Sequence, residues 1–176
     1  MIGKRGIGIA LSSLALTVAS VGWAPTAQAH TAQSCTGQED ITYGSGLGLS
    51  SGTTTVTVDG VYRCADASGR RITAKYHSGG TTQATCLLLA SNKAEETLHY
   101  ADGSRTVIAY GSGTSLRILG LNTVRLRGVV VSGRGKGSAA EKTIQTVPAS
   151  LPTDCVLAGG IRRTIAFTHL SIRPNS

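Results

Sequence analysis

Apolar and polar residues alternate along most of this chain. In TTTVTVDGVYRC, residues 53–64, Val56, Val58, Tyr62 and Cys64 fall on one side, with Gly60 in register between them. Thr55, Thr57, Asp59 and Arg63 fall on the other. Successive residues of a strand point to opposite faces, so the segment reads as a half-buried strand. Asp59-Gly60 has the chemistry of a two-residue hairpin turn. The alternation passes through it unbroken, which predicts one long strand bent at Gly60. The same period marks Ile72, Ala74 and Tyr76, then Ala84, Cys86 and Leu88, and later Val124, Leu126 and Val130. A final strand, about 163–172, sets Ile165 and Phe167 against Ala166, Leu170 and Ile172.

Turn chemistry punctuates these runs: LSSGT after the first strand, ADASGR after the second, HSGG after the third. ADGS at 101–104, between ETLHY and RTVIAY, is the strongest hairpin signal. ITYGSG at 41 recurs as IAYGSG at 108, read as a strand followed by a glycine turn, used twice. No segment has the pattern of a long amphipathic helix. The expectation is an all-β, single-domain fold of about eight to nine antiparallel strands, either an up-and-down barrel or a two-sheet sandwich.

The first residues change the picture of where the chain goes. Lys4 and Arg5 precede an apolar stretch from Ile7 to Val21, and Ala27-Gln28-Ala29 follows. This is the layout of a secretory signal, residues 1–29, cut after Ala29. It leaves 30–176 as one secreted β-domain with an extracellular destination and no stable membrane insertion. That domain carries fifteen Lys and Arg against nine Asp and Glu, and only six aromatic residues, so its core must be largely aliphatic.

All four cysteines, Cys35, Cys64, Cys86 and Cys155, lie beyond the cut, which predicts two disulfides with three possible pairings. A hairpin turn centred near Ser50 and Ser51 places residues opposite one another when their numbers sum to about 101. Cys35 and Cys64 come within one bulge of that register. The expected bridges are therefore Cys35–Cys64 and Cys86–Cys155. Neither a C-x-x-C nor a His-x-x-x-His spacing occurs, so no metal and no cofactor are expected.

The remaining candidate chemistry is basic. GVVVSGRGKGS, residues 128–138, approaches a phosphate-binding loop, but Arg134 and Gly135 stand where lysine and a hydroxyl residue are required. A mobile, solvated loop over 132–140 is the expectation. Arg125 and Arg127 share one strand face, and with Arg134 and Lys136 they are the candidate anion or polyanion contacts. No catalytic residues are assigned. There is no G-x-S-x-G elbow, His77 alternates with Lys75 on a polar face, His99 lies beside a hairpin, and adjacent Glu95 and Glu96 point to opposite faces.

The framework CTGQEDITYGSGL, VDGVYRC, ATC, LHYADGS, RLRGVVVSGRGKG and DCVLAGGI resembles small exported actinomycete β-proteins of uncharacterised function with four cysteines. That resemblance implies an all-β secreted domain and carries no activity with it. VTVDGVYR followed by GRRITAKY is similar to a strand pair of the actinomycete subtilisin inhibitors, whose cysteine-anchored reactive loop has no counterpart in YGSGLGLSSGT. The functional expectation is a non-enzymatic secreted scaffold that binds an extracellular ligand or protein. The alternatives are an extracellular protease inhibitor or hydrolase, and a polyanion or cell-wall binder acting through surface arginines.

Overall fold

A computed structural model describes residues 32–50, 52–85, 94–118, 121–146 and 160–175. The strands are β1 (Gln33–Leu47), β2 (Gly52–Asp66), β3 (Arg71–Ala84), β4 (Ala94–Tyr100), β5 (Arg105–Ile118), β6 (Leu121–Gly133), β7 (Ala139–Thr146) and β8 (Ile161–Arg173). Each pairs antiparallel with the next, and β8 pairs back with β1, so the sheet closes into an up-and-down barrel. Closure leaves no unpaired edge, and it excludes the two-sheet sandwich.

Eight strands enclose an interior just wide enough for side chains to fill it. The inward positions are those the alternation marks. Tyr62, Cys64, Ala74, Tyr76, Val130, Ala166, Leu170 and Ile172 are buried, while Ile165 and Phe167 stand outside. β2 runs without interruption through Asp59-Gly60. The β1–β2 register sets Cys35 opposite Cys64, and the two form a disulfide with a Cα–Cα distance of 3.9 Å. Facing numbers sum to 99, so the turn centres between Leu49 and Ser50, one position before the expected one. Cys86 and Cys155, like residues 1–31, lie outside the described residues.

The connections divide the barrel into two unlike ends. Short turns join β2 to β3, β4 to β5 and β6 to β7 at the end that also holds Gln33 and Arg173. Asp66 organises the first turn, accepting bonds from the Ser68 and Arg70 amides. Asp102 does the same in the second for the Ser104 amide, and Gly103 there takes a φ of 81°.

Three expectations need correction. HSGG is no turn, since β3 continues through Gly79 and Gly80, paired to both neighbours. The two YGSG stretches are irregularities inside strands: the β1–β8 register shifts between Thr42 and Leu47, and Gly111 is an extra residue in β5 opposite β6. In a closed barrel such bulges bend a strand and increase its twist without ending it. The stretch 132–140 is not a loose loop. Gly133, Gly135 and Gly137 all take positive φ, and the Arg134 amide donates to the Arg105 carbonyl at 2.8 Å. The Gly137 amide donates to the Val130 carbonyl at 2.8 Å, and Ser138 is buried. Regularly spaced glycines here satisfy left-handed turn positions and allow a hydrogen-bonded turn, in which Gly133, Lys136 and Gly137 stay exposed.

Candidate functional site

Three charged side chains occupy inward positions in the barrel: Glu39 on β1, Glu96 on β4 and Lys142 on β7. Each sits in the apolar phase of its strand. Glu39 follows Cys35 and precedes Ile41 and Tyr43; Glu96 alternates with Leu98 and Tyr100; Lys142 lies between Ala140 and Ile144. The β structure therefore drives all three into the lumen, where they meet. Lys142 Nζ lies 2.8 Å from Glu39 Oε2 and 2.8 Å from Glu96 Oε2.

Tyrosines wall the cluster. Tyr76 donates its hydroxyl to Glu39 Oε2 at 2.7 Å, and Tyr110 donates to Glu96 Oε2 at 3.4 Å. The Tyr62 and Tyr76 rings stack 4.1 Å apart, and Lys142 Nζ stands 4.6 Å from the Tyr76 ring centre, a cation–π distance. Glycines make the room. Gly37 faces Tyr62 across β1–β2, Gly60 faces Tyr76 across β2–β3, and Gly128 faces Tyr110 across β5–β6. A Cβ on Gly60 would collide with the Tyr76 ring.

Electrostatics in this space follow from burial. Desolvation pulls the Lys142 ammonium down, but Glu96 and Glu39 outweigh it and hold the group above the ordinary lysine value. Desolvation raises the Glu96 carboxyl, and Lys142 only partly offsets that. Burial also raises the phenols of Tyr62, Tyr76 and Tyr110, which keeps them neutral donors. One oxygen of each acid, Glu39 Oε1 and Glu96 Oε1, is buried with no hydrogen-bond partner. Among the described residues no group of acids, histidines or cysteines has the geometry to hold a metal ion.

The sequence-derived candidates lie elsewhere. Arg125 and Arg127 project from the outer wall and share Glu141, at 3.4 and 3.3 Å. Arg134 pairs with Asp102 and lies over the Tyr100 ring, while Lys136 is exposed in the β6–β7 turn. The four are not brought together into one site. The outer wall also carries a shallow groove across β8, β1 and β2, lined by Gln38, Asp40, Val61, Ile165 and Phe167 among others. Phe167 is 57% exposed there, and Arg163 pairs with Asp40 beside it.

The lumenal cluster escaped the sequence reading, which paired acids by proximity along the chain. The signal that finds it is a charge in the apolar phase of an alternating strand, present three times over. No protein-family model and no curated protein matches this chain.

Proposed function

We propose that the chain is a secreted, non-enzymatic β-scaffold that meets its extracellular ligand or partner outside the barrel wall. The observation that supports this reading is the lumen itself. Inward side chains from all eight strands occupy it, and its one ammonium is bonded to both of its carboxyls. The Cys35–Cys64 bridge suits an oxidising compartment, and the secretory layout of residues 1–29 supports export. Val61, Ile165 and Phe167 on the groove form one cluster of exposed apolar side chains able to release water on contact.

Expression of the full chain in a secreting host tests the compartment, with a secreted form beginning at His30 as the expected product. An environment-sensitive dye, anilinonaphthalene sulfonate, tests the surface. It should bind the native protein, and binding should be lost in a Val61→Thr, Ile165→Thr, Phe167→Ser variant that melts as the native protein does. Dye binding unchanged in that variant would overturn the outer-wall reading. Cleavage of casein by the purified chain, or slowed cleavage of casein by subtilisin in its presence, would replace it with the hydrolase or inhibitor alternative.

A further inference from the structure

We propose that the barrel lumen is a proton-binding site, in which Glu39 and Glu96 together hold one proton at neutral pH and the cluster with Lys142 is uncharged overall. The count of groups is the starting point. Two carboxyls face one ammonium, and the buried charged residues among those described are these three alone. Fully ionised, the cluster would carry one net negative charge on side chains no more than 2% exposed. An uncompensated buried charge is costly enough that such a group neutralises instead.

Among the described residues no other lumenal group can supply the missing positive charge. The buried phenols of Tyr43, Tyr62, Tyr76, Tyr100 and Tyr110, from β1 to β5, are each neutral or negative in any protonation state. The described inward residues of β6 (Val124, Leu126, Gly128, Val130) and of β8 (Ala166, Thr168, Leu170, Ile172) do not titrate. Thr168 is occupied with the Tyr62 hydroxyl at 3.4 Å. The two orphan oxygens point the same way. Lys142 takes one oxygen of each acid and leaves Glu39 Oε1 and Glu96 Oε1 without a donor, so each is a place for a hydrogen.

Burial selects the carrier. Tyr76 bonds Glu39 at 2.7 Å, while Tyr110 reaches Glu96 at 3.4 Å and the Tyr62 hydroxyl also lies against Glu96. Desolvation is the largest influence on the Glu96 carboxyl and outweighs Lys142 and these contacts, so the proton is assigned to Glu96. A group whose folded pKa exceeds its unfolded value holds more protons in the folded state across that window. Its stabilising effect is complete below the unfolded carboxyl range and is lost as pH rises through the folded value.

Difference infrared spectroscopy on the native, disulfide-intact protein reads the proton directly. A protonated carboxyl C=O band should be present at neutral pH and absent in Glu96→Gln. Thermal unfolding between about pH 5 and pH 9 should show Tm falling as pH rises, with a shallower fall in Glu96→Gln. Absence of the band from the native protein at neutral pH overturns the proposal, and that measurement needs no variant to fold. So does a Tm that depends on sodium or potassium against choline, since a metal cation would then occupy the orphan oxygens.

Discussion

Glycine and tyrosine divide the work inside the barrel residue by residue. Tyr76 covers Gly60, bonds Glu39 and stacks on Tyr62, so its ring has no freedom to yield. Gly60→Ala should therefore cost about 1–3 kcal/mol in urea unfolding, as overpacked cores do. Gly79 lies on the same sheet with a negative φ and nothing within 4 Å of a would-be Cβ. Gly79→Ala should be neutral or stabilising by up to about 1 kcal/mol, because it restricts only the unfolded chain. At this scale the sequence was partly legible. Period two gave the inward face of β2 correctly, including Gly60. It could not say that Glu39, Glu96 and Lys142 converge, because their meeting depends on strands far apart in the chain being rolled onto opposite sides of one lumen.

At the scale of elements, carboxylates and glycines set where strands stop. Ser104 holds the Asp102 carboxyl at a pKa of about 2, with Arg134 adding to the effect, and Ser68 lowers Asp66 in the same way. A depressed folded pKa gives stability that is complete above the unfolded carboxyl value and is lost as pH falls through the folded one. Acid unfolding should therefore begin below about pH 4. Asp102→Asn, which keeps the side-chain acceptor for Ser104 but removes the charge, should make the acid limb less steep by circular dichroism. An unchanged limb would show that this turn does not report on folding. The ADGS hairpin was plain from sequence because Asp and Gly stand at their required places. HSGG misled for the same reason: its glycines have turn chemistry, yet β2 and β4 pair with them from either side and keep the strand extended.

At the scale of the whole molecule, closure decides how the cysteines are distributed. Cys35 and Cys64 cross-link neighbouring strands 29 residues apart, a loop worth about 3–4 kcal/mol of unfolded-chain entropy. Cys86 and Cys155 lie outside the described residues, between β3 and β4 and between β7 and β8 in sequence, and the ends of those strands, Ala84, Ala94, Thr146 and Ile161, are at the same end of the barrel. With the first pair fixed, these two are each other's remaining partners. Non-reducing peptide mapping of secreted protein should yield a fragment joining Cys86 to Cys155, and a free thiol at either position would refute that pairing. Barrel and sandwich could not be separated from sequence, since both need the same eight alternating strands. Only the pairing of β8 with β1 distinguishes them, and no local pattern encodes it.

That final pairing brings Gln33 opposite Ile172. The eight strands therefore form a ring in space, and their packing does not record which of them comes first. Tied through a short bridge at that seam and opened instead between β1 and β2, the same eight strands would keep every neighbour they have now. Strand order around the barrel belongs to the architecture and does not depend on which strand the chain enters first.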